Sequence, residues 1–155
     1  MLEQRIGFIG AGQMATALGQ GLVKAELAGG QRLLAADVDA GAASRFAQTT
    51  GGSVAETNLE LVRRCDVVFL AVKPQQVAAV LAEIRPAATP ERLFVSIAAG
   101  IPIARLAGAL GSQARLVRVM PNTPCLIGRG ACGFCLGQAA TPADAELVER
   151  LLSAV

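Results

Sequence analysis

Short apolar runs that alternate with helix-length segments are the feature that most limits how this chain can fold. Strands that are buried on both faces carry continuous apolar runs, and sheets of such strands are parallel with helices on both sides. Five runs have this character, with a weaker sixth, and they occupy residues 6–9, 33–36, 67–72, 93–98 and 116–120, the weaker one 52–55. The pattern predicts repeated β-α units with right-handed crossovers.

The segments between the runs have the periodicity of amphipathic helices. In the first of them, Met14, Leu18 and Leu22 recur every four residues, which places them on one helix face. Gly29-Gly30 is expected to end this helix, because glycine commonly follows the last periodic residue of a helix. The predicted helices span residues 13–28, 40–49, 57–64, 75–84 and 102–110.

The C-terminal part of the chain departs from this alternation. Residues 121–130 have the composition of a loop, and residues 131–136 are predicted to form a strand. Thr141-Pro142 marks the start of a last helix, which is expected to run to Val155. Together the elements predict an α/β fold of the doubly wound, Rossmann type, with a mostly parallel sheet and helices on both faces.

The chain of 155 residues contains no histidine, tyrosine or tryptophan. The lack of histidine excludes Ser-His-Asp and Cys-His catalysis and any His-ligated metal site. The net charge of +2 and the lack of tyrosine and tryptophan indicate no nucleic-acid partner. The chemistry must therefore come from a cofactor, from a few polar groups, or from a part of the protein outside this chain.

Residues 6–23 carry no charge, and this stretch is long enough to be tested as a membrane span. It contains five glycines, however, and it is preceded by both Glu3 and Arg5 rather than by basic residues alone. A strand, a turn and a helix explain the stretch better. We therefore expect no membrane association and a cytoplasmic location.

The four cysteines do not form an obvious framework. Cys132 and Cys135 make a C-x-x-C, and Cys125 lies seven residues before Cys132. In a strand over residues 131–136, the side chains of Cys132 and Cys135 would point to opposite faces, which does not suit shared metal ligation. A zinc site would also need the distant Cys65 as its fourth ligand. We expect no metal site, and structural thiols in a reducing compartment.

The sharpest motif is Gly-Ala-Gly-Gln-Met-Ala at residues 10–15, a G-x-G-x-x-A between the first predicted strand and the first predicted helix. In such a motif Gly10 permits a tight turn, Gly12 lets the backbone approach a pyrophosphate, and Ala15 keeps the helix close to the strand. Asp37 follows the second strand, where an acidic residue accepts a hydrogen bond from a ribose hydroxyl. The combination predicts a dinucleotide site, although Asp37 alone is also explained as a turn residue before the second helix.

Topology supports the same location. In a sheet of strand order 3-2-1-4-5-6, ligands bind beyond the carboxyl ends of the strands, where the order reverses. That point lies between the first strand and the run at 67–72. The small or polar segments that leave the sheet there are expected to line one crevice, and they are residues 10–14, 72–74, 98–100 and 120–123. Lys73 lies at the rim, either as a cofactor contact or as a solvated loop charge.

Four segments in this order resemble the pyrroline-5-carboxylate reductase family. Besides the glycine motif they are Ala-Val-Lys-Pro-Gln at 71–75, Val-Ser-Ile-Ala-Ala-Gly-Ile at 95–101 and Arg-Val-Met-Pro-Asn-Thr-Pro at 118–124. The family reduces the imine pyrroline-5-carboxylate to proline with NADPH or NADH, so the resemblance implies an oxidoreductase of proline biosynthesis. It identifies residues 1–155 as the family's dinucleotide-binding domain. The family's helical dimerisation domain and its substrate loop have no match in this chain.

The resemblance also implies the cofactor contacts, and it leaves the catalytic residues unassigned. Gly10 and Gly12 form the turn, Ala11, Gln13 and Met14 would contact the pyrophosphate, Asp37 the adenosine ribose and Asn58 the adenine side. Val72, Lys73 and Ala99 would flank the dinucleotide, and Pro121 and Asn122 would meet its nicotinamide end. NADH is expected over NADPH, because Asp37 and Asp39 would repel a 2′-phosphate and no basic residue occurs before Arg45. The implied partners are a small imine substrate and, for the full-length protein, further copies of itself.

Three other interpretations remain open at this stage. The domain could belong to a related hydroxyacid or imine dehydrogenase, it could be a regulatory module that binds NAD(P)H without catalysis, or its crevice could have no ligand. Reduction of an imine to proline by the longer protein favours the pyrroline-5-carboxylate reductase interpretation. Tight cofactor binding without such a reaction favours the regulatory module.

Overall fold

All 155 residues, Met1 to Val155, are described by the structure, a computed structural model. Seven strands form one sheet in the order β3-β2-β1-β4-β5-β6-β7. They are β1 (Ile6–Ile9), β2 (Leu33–Ala36), β3 (Ser53–Val54), β4 (Val67–Leu70), β5 (Leu93–Ser96), β6 (Arg115–Met120) and β7 (Gly133–Leu136). Strands β1 to β6 are parallel, and β7 runs antiparallel to β6. The predicted doubly wound, Rossmann-type sheet is confirmed, including the reversal of strand order between β1 and β4.

Five α-helices connect the parallel strands, a sixth follows β7, and together the six cover both faces of the sheet. They are α1 (Gln13–Lys24), α2 (Ala40–Thr50), α3 (Asn58–Arg64), α4 (Pro74–Ile84), α5 (Ile103–Leu110) and α6 (Pro142–Leu152). Three single turns of 3₁₀ helix occur at Gly30–Arg32, Arg85–Ala87 and Thr123–Ile127. No helix combines the length and the apolar character that crossing a membrane requires.

The core consists of two layers, one on each side of the sheet. A cluster of 22 buried residues lies under α1, α2 and α6, and a second of 21 lies under α3, α4 and α5. The near-equal sizes explain why the central strands are apolar along their whole length. In the first layer the ring of Phe8 stacks on that of Phe69, with centroids 5.0 Å apart, and meets Phe46 at 5.2 Å. Such aromatic pairs add about 0.5–1.5 kcal/mol each beyond the burial of their area.

Helix α1 is shorter than predicted. It ends at Lys24 rather than near residue 28, and Glu26 adopts a left-handed conformation with φ of 54°. The amides of Leu27 and Ala28 then both donate to the carbonyl of Leu22, which turns the chain back and buries Ala28. The helix thus ends in a turn that buries Ala28, and Gly29-Gly30 come after this turn rather than ending the helix.

The other differences from prediction lie at element ends. Strands β4 and β5 end two residues earlier than predicted, at Leu70 and Ser96, which are in register with Ile9 at the end of β1. The segment 121–130, expected as a loop, contains the 3₁₀ turn Thr123–Ile127. Strand β7 begins at Gly133 rather than at residue 131, and α6 ends at Leu152 rather than at Val155.

Candidate functional site

The glycine motif forms a tight turn between β1 and α1. Gly10 has a φ of 93°, and its amide donates to the carbonyl of Ala36 at 2.8 Å. A Cβ at this position would approach the carbonyl oxygen of Ala71 to 2.6 Å. Both the conformation and the close passage of the segment after β4 therefore require glycine at position 10.

Gly12 differs from Gly10 because nothing in the protein requires it to be glycine. Its φ of −73° and ψ of −171° are open to any residue, and a Cβ there would meet no atom within 4 Å. The position faces solvent at the first turn of α1, so the absence of a side chain leaves the space in front of this backbone unoccupied. This is the expected arrangement where a backbone must approach a ligand.

Helix α1 presents an unneutralised positive end beside Gly12. The helix has no side-chain cap and no acidic residue in its first turn. The first amides of a helix have no partner within the helix, and with the helix dipole they attract anions. The backbone at Gln13 and Met14 therefore lies in a position suited to hold phosphate oxygens.

Asp37 is tied to the glycine turn by a contact that the sequence did not reveal. One carboxylate oxygen accepts the amide of Ala11 at 2.7 Å, and the other accepts the amide of Asp39 at 2.9 Å. Ala11, which the resemblance places at the pyrophosphate, thus donates its amide to Asp37 and has a buried side chain. Asp37 is only partly buried, and each carboxylate oxygen retains a lone pair for a further donor.

A cleft of about 350 Å³ opens where the strand order reverses, between the ends of β1, β2 and β4. Six of the residues that the resemblance implies line it, namely Gly10, Gly12, Asp37, Asn58, Val72 and Lys73. Ala11 and Gln13 line an adjoining groove between α1 and α2, together with Arg45. Met14, Ala99, Pro121 and Asn122 line neither cavity, although Ala99 and Pro121-Asn122 follow β5 and β6 at the same edge of the sheet.

Two polar side chains of the cleft differ in how firmly they are held. The Asn58 amide nitrogen donates to Glu83 of α4 at 2.8 Å, which fixes the side chain at the wall. Lys73 immediately precedes α4, is exposed, and forms no ion pair. Its ammonium group is therefore free to approach an anionic ligand in the cleft.

The largest concavity of the molecule, about 910 Å³, lies at the opposite edge of the sheet. It is formed by the first residues of the chain, the amino ends of the strands and α6. In open α/β sheets ligands bind beyond the carboxyl ends of the strands. The topology therefore favours the smaller cleft over this groove as the ligand site.

The cysteines are arranged differently from the sequence pattern. Cys132 precedes β7 instead of lying in it, and its sulfur is 3.6 Å from that of Cys125. Cys135 is exposed on β7, and Cys65 is buried, which raises the pKa of the Cys65 thiol to about 12. No group of three or more metal-ligating His, Cys, Asp or Glu side chains is present. The contact between Cys125 and Cys132 was not predicted, because the C-x-x-C spacing associates Cys132 with Cys135 instead.

Asn122 holds the segment that contains this cysteine pair. Its side-chain oxygen accepts the amide of Ala131 at 3.0 Å and the thiol of Cys125 at 3.5 Å. These two bonds close the loop between β6 and β7 at its base. Asn122 therefore stabilises this loop, in addition to the cofactor contact that the resemblance implies.

Comparison with known proteins gives one family and a consistent set of relatives. Residues 5–100 match the family described as NADP oxidoreductase coenzyme F420-dependent. Pyrroline-5-carboxylate reductase of Pseudomonas aeruginosa is 44% identical over 155 residues, which are 100% of this chain and 56% of that relative. Pyrroline-5-carboxylate reductase 3 of Bos taurus is 39% identical over 151 residues, 97% of this chain and 49% of that relative. The chain thus spans about half the length of the curated relatives that it matches.

Solved structures agree with the sequence relatives. Plasmodium falciparum pyrroline carboxylate reductase with NADP bound superimposes with a TM-score of 0.88 at 32% identity, covering 99% of this chain and 56% of that one. The Coxiella burnetii pyrroline-5-carboxylate reductase gives a TM-score of 0.94 at 29% identity, covering 99% and 57%. Prephenate dehydrogenase of Aquifex aeolicus, at 13% identity and a TM-score of 0.75, shares the fold alone.

Proposed function

The chain belongs to the family described as NADP oxidoreductase coenzyme F420-dependent, and we propose that it is the dinucleotide-binding part of a pyrroline-5-carboxylate reductase. The substrate of the longer enzyme is then the cyclic imine pyrroline-5-carboxylate, and the product is proline. The observation that carries the proposal is the open space at Gly12 beside the uncapped end of α1. Protein packing does not account for glycine there, whereas the approach of a pyrophosphate does.

The residues of the cleft fit a nicotinamide dinucleotide at three independent points. The first turn of α1 offers amides to the pyrophosphate, and Asp37 offers a carboxylate to a ribose hydroxyl. The ammonium of Lys73, free of any ion pair, lies at the rim of the same cleft. We propose that the other implied contacts, Ala99 and Pro121-Asn122, border the nicotinamide half, because they leave the sheet at the same edge.

The dinucleotide, when bound, supplies the hydride for the reduction. The described residues orient it and compensate the charge of its phosphates. The chain has no histidine or tyrosine that could deliver a proton to the imine nitrogen. We propose that the proton donor and the groups that hold the substrate carboxylate lie in the part of the relatives that this chain does not span.

Asp37 and Asp39 favour NADH over NADPH in our proposal. The carboxylate of Asp37 is held in place by hydrogen bonds from the amides of Ala11 and Asp39, so it presents its charge at a fixed position in the cleft. Arg45 lies 3.8 Å from Asp39, and both side chains are largely exposed, so the guanidinium compensates Asp39 only weakly. A 2′-phosphate would meet uncompensated negative charge, whereas a ribose hydroxyl would donate a hydrogen bond worth about 1.5–3 kcal/mol.

Fluorescence titration of the 155-residue protein with NADH and with NADPH tests the proposal. We expect saturable binding of both, tighter for NADH, and little loss of reduced-dinucleotide absorbance when pyrroline-5-carboxylate is added. A protein that binds neither dinucleotide would overturn the proposed function. Imine reduction at a rate typical of the full-length relatives would leave the binding proposal standing and contradict the placement of the proton donor outside the chain.

Two further expectations concern the longer protein. A cytoplasmic location and assembly into a homo-oligomer stay predictions. The regulatory module that binds a dinucleotide without reducing an imine is distinguished by the same pair of measurements, repeated on the longer protein. Binding without reduction by that protein would favour the regulatory module.

A further inference from the structure

The loop between β6 and β7 brings two cysteines into van der Waals contact. The sulfurs of Cys125 and Cys132 lie 3.6 Å apart, and both residues are free thiols. A disulfide bond is about 2.05 Å long, so the sulfurs need to approach by only about 1.5 Å. A side-chain rotation together with a small backbone adjustment provides a movement of this size.

The surroundings of the pair are shaped around the sulfur of Cys125. A Cβ on Gly130 would clash with this sulfur, so glycine at position 130 leaves room for the Cys125 side chain in its present orientation. Gly128 has a φ of 69°, a left-handed conformation that folds the chain back and returns Cys132 to Cys125. The turn at Gly128 and the space at Gly130 therefore accommodate the contact between the two thiols.

The two thiols differ in their exposure to solvent. The Cys125 side chain is buried, with a relative exposure of 1%, whereas Cys132 is partly exposed. A small reagent in solution can therefore reach Cys132 but not Cys125. The Cys125 sulfur lies next to the Cys132 sulfur, so the Cys125 thiol can displace a group that has been attached to the Cys132 sulfur.

We propose that Cys125 and Cys132 form a reversible disulfide within the chain by exchange with a small disulfide such as oxidised glutathione. The Cys132 sulfur attacks the glutathione disulfide, which forms a mixed disulfide and releases one glutathione thiol. The Cys125 sulfur then attacks the Cys132 sulfur and releases the second glutathione thiol. In sum the two cysteines lose two electrons and two protons, and one glutathione disulfide becomes two thiols.

The bridge alters the base of the loop. Oxidation removes the S–H donor that Cys125 directs at the side-chain oxygen of Asn122, and it leaves the amide of Ala131 as the remaining donor. The proposed disulfide does not rest on the proposed function, because it requires only the two sulfurs and the glycines that accommodate them.

Peptide mapping of the 155-residue protein after incubation with oxidised glutathione tests the proposal. Trypsin cleavage after Arg118, Arg129 and Arg150 places Cys125 in the peptide 119–129 and both Cys132 and Cys135 in the peptide 130–150. We expect these two peptides to be linked, with the mass of two hydrogens lost, and to separate on treatment with dithiothreitol. Fragmentation of the linked peptide assigns the bond to Cys132 rather than Cys135 without any substitution.

Two serine variants provide the matched comparison. Cys135→Ser removes an exposed thiol on the neighbouring strand and should retain the link, whereas Cys132→Ser should abolish it. Glutathione adducts on Cys132 without any linked peptide would overturn the proposal. A link that persists in Cys132→Ser, or that fragmentation of the wild-type peptide assigns to Cys135, would do the same.

Discussion

Replacing Gly12 by valine should abolish dinucleotide binding and leave the fold intact. The backbone at Gly12 has φ of −73° and ψ of −171°, which valine adopts without strain, and a Cβ meets no atom within 4 Å. Loss of glycine at the start of a helix costs about 1 kcal/mol, and the reduced freedom of the unfolded chain returns about 0.4–1 kcal/mol. We therefore expect the free energy of unfolding to change by less than about 1 kcal/mol.

The effect on binding should be far larger than the effect on stability. The valine methyl groups would occupy the space through which the pyrophosphate approaches the amides of α1. A hydrogen bond to a charged group is worth about 1.5–3 kcal/mol. The loss of two such bonds weakens binding by about 3–6 kcal/mol, which is roughly a 10²–10⁴-fold increase in Kd.

Two control variants separate the site from the packing. Gly108 lies exposed in α5, far from the cleft, and a Cβ there also meets nothing within 4 Å, so Gly108→Val should bind NADH like the parent. Gly10→Ala should instead destabilise the fold by at least about 1–3 kcal/mol, because the left-handed φ and the Ala71 carbonyl both oppose a side chain.

Fluorescence titration with NADH and urea unfolding, run on all four proteins, complete the assay. Unchanged Kd in Gly12→Val would show that no ligand approaches this backbone. Loss of binding accompanied by unfolding of Gly12→Val would refute the claim that open space surrounds Gly12.

Three more variants or conditions follow from the same structure. Asp37→Asn keeps an acceptor for the Ala11 amide and removes the charge. The Kd for NADPH divided by the Kd for NADH should therefore fall by about tenfold or more. An unchanged ratio would show that Asp37 does not discriminate between the cofactors. Phe8→Ala removes the ring between Phe46 and Phe69 and should lower the free energy of unfolding by about 3–5 kcal/mol in urea, and a loss below 1 kcal/mol would contradict the packing described. Burial and the neighbouring Cys125 raise the pKa of the Cys132 thiol to about 11. Alkylation of Cys132 by iodoacetamide should therefore continue to accelerate above pH 9, whereas a plateau by pH 9 would show that the pKa is not raised.

The sheet and the glycine turn could be predicted because local patterns determine them. Strands covered on both faces must be apolar throughout, and parallel strands need helical crossovers of one hand, so the order of runs along the chain leaves few topologies. Gly10 and Gly12 follow directly from the steric needs of the turn and of the ligand. The edge of the sheet at which the implied site residues gather could therefore be derived without coordinates.

Other features depend on contacts between distant segments, which no local pattern records. The bond from the Ala11 amide to Asp37 joins residues 26 positions apart, in the segments that follow the neighbouring strands β1 and β2. Helix α1 ends at Lys24 and the following turn buries Ala28 against the core, whereas Gly29-Gly30 predicted a later end of the helix. The contact of Cys125 with Cys132 depends on the fold of the loop, and only Gly128 and Gly130 hinted at a chain reversal between them.

Mapping of backbone amide chemical shifts during titration with NADH tests most directly whether the carboxyl edge of the sheet holds the dinucleotide. The largest shifts should occur at Gly12, Gln13 and Met14. Further shifts are expected at the other residues of the implied site that have an amide proton, which are Gly10, Ala11, Asp37, Asn58, Val72, Lys73, Ala99 and Asn122. Residues around the larger groove at the opposite edge, such as Glu91 and Arg150, should not respond. Shifts centred on that groove, with an unchanged glycine turn, would contradict the account.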